Sequence, residues 1–196
     1  MTQLQNQRDE WSQISEIFQS KGKLVKLRKK EFYAKQGEAF DSIGYVKKGA
    51  FKLVYQNEKK QWIKSFLFEG SFLGSIPSIF QKKPSTYSII SMETSEVIVL
   101  PIKVLNQIFE VESSYQKFLI QFLTTLYLKK EKRVSDFLLL DARHRYQEFI
   151  KEYYPHISRN SQIDQAAYLG ITNVALSRLM KHSFVNNPLP LPNTIR

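Results

Sequence analysis

The chain has 196 residues, room for one large domain or two small ones with a buried core. Its 42% hydrophobic content makes it globular, and a formal net charge of +11 suits a polyanionic partner. It has no cysteine, which excludes disulfides, thiol redox sensing and cysteine-ligated iron–sulfur clusters.

The N-terminal MTQLQNQRDEW lacks the apolar run of a signal peptide. No apolar stretch approaches the roughly 18 residues of a membrane span. A cytoplasmic protein with no membrane partner is the expectation. Residues 9–20 place Trp11, Ile14, Ile17 and Phe18 on one helical face. From about 24 to 100, short runs rich in Val, Ile, Tyr and Phe alternate with turn residues such as Gly37, Asn57, Gly70 and Pro84. The runs 44–56, 61–68, 86–93 and 95–101 predict strands of a sandwich or barrel. Pro101 is placed to open a short helix through Phe109.

Residues 113–139 predict one long helix. Tyr115, Phe118, Phe122 and Thr125 follow helical spacing, and Leu119, Leu123 and Leu126 widen the stripe. So wide a stripe must pack on the strands, on another helix or on both, and a second copy of the same helix is a natural partner. Lys129, Lys130, Lys132 and Arg133 read as a solvated turn of that helix. Residues 141–155 predict a further helix ended by Pro155, and ISRNS a loop. The end, HSFVNNPLPLPNTIR, reads as a tail, because its prolines forbid a regular helix or central strand.

Residues 161–181, SQIDQAAYLGITNVALSRLMK, have the form helix, Gly turn, helix. Ser161 and Asp164 make a capping box, and Ala166 is small where two helices cross. Gly170 suits a positive φ at the reversal. Thr172 can cap the second helix, and Leu176 packs it on the first. Asn173, Ala175, Arg178 and Lys181 then fall on the outer face. This is the arrangement in which a second helix enters the DNA major groove. An ordinary helical hairpin fits the same spacing.

The order helix, β-roll, long helix, helix-turn-helix resembles the Crp/Fnr family of transcription regulators. The resemblance rests on FYAKQGEAFDSIGYVKKGAFKLVY and FLFEGSFLG in the N-terminal half, and on DARHRYQEFIKEYYP and AAYLGITNVALSR in the C-terminal half. It implies an α+β protein: a cyclic-nucleotide-binding-like β-roll (jelly roll) sensor over 1–112, a dimerisation helix over 113–139, and a DNA-binding domain over 140–196. It also implies a homodimer reading a pseudo-palindromic duplex, with RNA polymerase as a further partner. DNA contacts would fall on Thr172, Asn173, Val174, Ala175, Arg178 and Lys181. Val174 stands where the family often has a polar base reader, and Gln165 where an apolar residue is usual. The family's C-terminal wing has no regular counterpart in the proline-rich end.

Members of the family that bind cyclic nucleotides open a phosphate cassette with Gly-Glu and close it with Arg followed by Ser or Thr. Here the opening is Gly74-Ser75 and the closing stretch KPSTYS puts Ser85 or Thr86 where the Arg belongs. Lys82 and Lys83 lie nearby, but lysine does not reproduce a bidentate guanidinium. Gly74, Ser75, Ser85, Thr86 and Thr125 are the residues that the resemblance places at an effector pocket. Loss of Glu and Arg predicts that cyclic nucleotides are not the effector, which leaves another small molecule or none. Residues 1–143 contain neither His nor Cys, which disfavours a haem or cupin metal centre in the roll. No cofactor is expected. No nucleophile elbow, metal cluster or phosphate loop suggests an enzyme. The rival reading is a ligand-binding or interaction module that has lost specific DNA recognition.

Overall fold

The computed structural model describes residues 14–111 and 113–186. The chain divides within its longest helix: residues up to Arg133 belong to one compact unit and those from Val134 to a second.

The first unit opens with helix α1 over residues 14–21. The strands follow as β1 (Lys23–Leu27), β2 (Phe32–Ala34), β3 (Ser42–Lys48), β4 (Phe51–Gln56), β5 (Gln61–Leu67), β6 (Phe72–Leu73), β7 (Ser88–Ser91) and β8 (Ser95–Pro101). The short helix α2 (Ile76–Gln81) lies between β6 and β7. Two four-stranded sheets result, ordered β1-β8-β3-β6 and β2-β7-β4-β5, with every pairing antiparallel. After β8 come α3 (Ile102–Val111) and α4 (Ser113–Leu139). The strand runs expected from composition are therefore present, as is the long helix.

Period-two alternation sorts each strand's side chains between two cores. Val46, Leu73 and Val97 point into the core that the two sheets share, with Leu27, Ala34, Phe51, Leu53, Tyr87 and Ile89. Their strand neighbours Tyr45, Phe72, Ile98 and Leu100 join a second core with Ile14 and Phe18 of α1, Leu105 of α3, and Phe118 and Phe122 of α4. The first sheet is thus covered on both faces. At the β3–β4 turn Gly49 has φ +111, and a Cβ there would overlap Ser95, so only glycine fits.

Two expectations for this unit need correction, and a third is met over the residues described. Pro101 does not open α3. It is the last residue of β8, paired with Ser42, and the helix begins at Ile102, whose N–H donates to the Asp41 carbonyl at 2.7 Å. β8 tolerates proline there because Pro101 lies past Val99, the last residue paired to β1, so that side of the ladder needs no N–H from it. The helix expected over 9–20 is seen over 14–21, with Trp11 and the rest of its start outside the described residues. Thr125 does not extend the apolar stripe of α4; it is exposed and its hydroxyl donates to the Gln121 carbonyl at 2.9 Å.

The second unit holds the end of α4, then α5 (Ala142–Tyr153), a 3-10 segment (Tyr154–Arg159), α6 (Gln162–Leu169) and α7 (Asn173–Asn186). Asp141 caps α5 by accepting from the His144 N–H at 2.9 Å. Pro155 ends α5, since it lacks the N–H that another α turn requires, and the chain tightens into 3-10 through Arg159 where a loop was expected. Phe149, Tyr153 and Tyr168 pack as a three-ring cluster with centroids 5.1–5.5 Å apart. The Tyr168 hydroxyl donates to Glu152 at 3.1 Å. The tail expected from residue 182 is helical as far as Asn186, because Pro188 is the first residue to forbid α7. Residues 187–196 lie outside the described residues.

Phe18 is 1% exposed and its ring meets Tyr45 at 6.0 Å and Phe72 at 5.3 Å. Phe18→Ala should therefore destabilise the first unit by about 3–5 kcal/mol, measured as a shift in denaturant midpoint. A loss below about 1 kcal/mol would show that α1 is not an integral part of this core.

Candidate functional site

Each unit presents one candidate site. In the second unit the pair α6–α7 is built as its sequence implies. Ser161 caps α6 by accepting from the Asp164 N–H at 3.2 Å. Gly170 terminates it with φ +72, and its N–H returns to the helix at Ala166. A Cβ on Gly170 would stand 2.9 Å from the Phe137 ring. Thr172 accepts from the Ala175 N–H at 3.1 Å and so caps α7. Ala166, Leu169 and Leu176 are buried, which seats α7 on α6.

That seating leaves Thr172, Asn173, Val174, Arg178 and Lys181 exposed, with Val174 62% accessible. Ala175 is half-buried, one step round the helix toward α6. Two cations, one amide and one hydroxyl thus share the free face of α7, with a single apolar side chain among them. The odd Gln165 is buried and has a local use. Its Nε2 donates to the Asn160 carbonyl at 2.9 Å, tying α6 to the segment before it.

In the first unit the candidate effector residues part company. Ser75 and Ser85 are fully buried, whereas Thr86 and Thr125 are exposed and Gly74 is half-buried. Tyr87 joins the two ends of the candidate cassette. Its hydroxyl donates to the Gly74 carbonyl at 2.7 Å, and its carbonyl accepts from the Ser85 hydroxyl at 2.7 Å. The ring is 3% exposed, and burial pushes the phenol up to about 12, with Tyr55 adding to the rise and Ser75 opposing it. A neutral, satisfied tyrosine therefore spans the space between Gly74 and Ser85. Lys82 and Lys83 are exposed and stay outside it.

A cationic group sits above that tyrosine. The Lys64 ammonium of β5 lies 3.4 Å from the centroid of the Tyr87 ring and 5.8 Å from that of Tyr55, and the two rings meet edge to face. From α4, Lys130 comes within hydrogen-bonding reach of Lys64. Arg133 donates to the Lys64 and Ile63 carbonyls at 3.0 and 2.9 Å. Burial, reinforced by the positive charge of Lys130, holds Lys64 down at about 7. Burial also lowers Lys130, and the charge of Arg133 adds to this while its hydrogen bond with Lys64 works against it.

So Arg133 is not simply part of a solvated helix turn; it binds α4 to β5, while Lys130 is exposed beside Lys64. Sequence reasoning missed Lys64, Tyr55 and Tyr87. The available signal was a lysine inside the apolar run QWIKSFLF, in a strand whose neighbours Ile63 and Phe66 are buried. Among the described residues no group of three or more His, Cys, Asp or Glu is placed to hold a metal ion. No helix among them is long and apolar enough to cross a membrane.

Residues 24–112 match the cyclic nucleotide-binding domain family. No curated protein sequence matches the chain. Among solved structures, FixK2 from Bradyrhizobium japonicum superposes with a TM-score of 0.75 at 15% identity, over 87% of this chain and 88% of that one. The c-di-GMP responsive global regulator CLP of Xanthomonas campestris gives 0.69 at 14% identity, over 89% and 92%. A CooA mutant from Carboxydothermus hydrogenoformans gives 0.70 at 16% identity, over 86% and 78%. At these identities the likeness is one of fold. Residues 24–112 are thus similar to the cyclic nucleotide-binding domain, and the chain shares the fold of these solved structures.

Proposed function

We propose that the protein is a non-enzymatic, DNA-binding transcription regulator of the Crp/Fnr type, acting as a dimer on a pseudo-palindromic site. The observation that carries this reading is the free face of α7. A capped helix is seated on its partner by Leu176, and it leaves Thr172, Asn173, Val174, Arg178 and Lys181 accessible. In a helix-turn-helix domain that face enters the major groove. Arg178 is the side chain suited to bidentate contact with guanine, Asn173 to adenine, and Val174 to a thymine methyl. Lys181, one turn on, suits a phosphate.

The dimer reading rests on α4. Tyr115, Phe118 and Phe122 are spent on the chain's own core. Ile120, Tyr127 and Val134 recur at seven-residue intervals and are 65%, 66% and 59% exposed. A seven-residue apolar repeat is the spacing at which two helices pair along a seam. Two α7 helices would then address half-sites about 34 Å apart.

The effector pocket is degenerate in this reading. Tyr87 occupies the space between Gly74 and Ser85, and neither the Glu nor the Arg of a phosphate cassette is present. Calorimetry with cyclic AMP and cyclic GMP should give no binding at physiological concentrations; a micromolar dissociation constant would overturn this.

Selection of duplexes from a random pool, followed by salt titration of the preferred one, tests DNA reading. Arg178→Ala should weaken the preferred duplex by about 1–3 kcal/mol and relax sequence choice. Lys181→Ala should weaken all duplexes alike and reduce the salt slope by about one. Unchanged affinity and preference in Arg178→Ala would favour an interaction module over a DNA reader.

A further inference from the structure

We propose that the groove between the end of α1 and the helix-covered face of the sheet β1-β8-β3-β6 binds a small amphipathic carboxylate, whose apolar body lies on Leu24, Tyr45 and Ile98 and whose acid meets Lys47 and Gln19. This goes beyond the DNA-binding reading and does not depend on it, since every residue involved belongs to the first unit.

The floor of the groove follows from strand register. Leu24 of β1 and Tyr45 of β3 both pair with Ile98 of the strand between them, so the three side chains stand in one row on the same face. Tyr45 and Ile98 belong to the core that α1 closes, and the Tyr45 ring is held by Phe18 at 6.0 Å and Phe72 at 5.5 Å. The helix stops at residue 21, and Leu24 at the end of the row is left 44% exposed. Gly22 then brings the main chain against the sheet, where a Cβ would overlap Ile98 and the Phe18 carbonyl. Backbone thus forms one wall. The groove measures about 340 Å³, within the range of small-molecule sites.

The rim supplies the charge. Lys47 lies two residues along β3 from Tyr45 and is exposed, and among the described residues it makes no hydrogen bond or ion pair. None of the residues that line the groove is acidic. On the same face Glu96 lies two residues along β8 from Ile98, and Lys26 pairs with it at 3.7 Å. Lys21, in the last turn of α1, offsets the carbonyl end of that helix. An apolar row, a free ammonium and the Gln19 amide together match a carboxylate on a hydrocarbon body. A cation would be repelled by Lys47, and a neutral apolar molecule would leave it unused. The place is distinct from the space between Gly74 and Ser85, and neither Tyr87 nor Lys64 takes part in it.

The test is a titration of the isotope-labelled full chain with octanoate, followed by its amide resonances. Saturable shifts are expected at Gln19, Gly22, Leu24 and Lys47, with a dissociation constant of about a millimolar or below. Octanamide, which keeps the hydrocarbon chain and loses the charge, should bind at least about threefold more weakly, and octanoate should bind Lys47→Gln at least about threefold more weakly. Leu24→Asp, which sets an acid in the apolar row, should weaken octanoate at least about tenfold. Both positions are exposed, so amide resonances away from the groove should not move in either variant. If Leu24→Asp fails to fold, Lys47→Gln decides. No saturable shift at those four amides, octanamide bound as tightly as octanoate, or wild-type affinity in either variant overturns the proposal.

Discussion

Phe72 is the residue on which the arrangement of the first unit turns. It sits on a two-residue strand, yet its ring meets Phe18 of α1, Tyr45 of β3, and Phe118 and Phe122 of α4 at centroid distances of 5.3–6.3 Å. Phe118 and Phe122 are one helical turn apart and lie stacked, with an interplanar angle of 11°. A ring cluster of this kind gains the hydrophobic burial of each side chain and the edge-to-face term between them. Its consequence is directional. Once one face of α4 is committed to the roll, the faces left over are fixed, and they carry both the exposed apolar repeat and the cations that reach β5.

The second consequence concerns sensing. In the effector reading a signal would be read between Gly74 and Ser85, and there Tyr87 spans the space. Tyr87 hydrogen-bonds across the candidate cassette, and Lys64 lies on the Tyr87 ring. A buried neutral phenol and a lysine pushed toward neutrality are a different chemistry from a guanidinium that neutralises a cyclic phosphate.

Much of this was legible in the sequence, for identifiable reasons. Alternation between Val46 and Tyr45, or Val97 and Ile98, encodes a strand buried on both faces, so the roll could be read from pattern. The Ser161 and Thr172 caps and Gly170 are local devices whose partners lie within a few residues, so the α6–α7 pair was legible almost to the residue. The division of α4 was not. Phe118 and Thr125 share a helical spacing, but only tertiary packing decides that one enters the core and the other faces solvent. Lys64 and Lys130 are 66 positions apart in the chain, and no short-range pattern announces that they meet. The end of α7 was misjudged because three prolines close together drew attention to a tail, while the first of them acts only from residue 188.

The central claim is a division of labour along α4: its aromatic face holds the chain's own roll, and its exposed apolar repeat joins a second copy that sets two α7 helices on one duplex. Sedimentation velocity of the full chain and of Tyr127→Lys at micromolar concentration tests this most directly. The account predicts a dimer for the unaltered chain and a folded monomer for Tyr127→Lys. A monomeric unaltered chain, or a dimer indifferent to Tyr127→Lys, would contradict it.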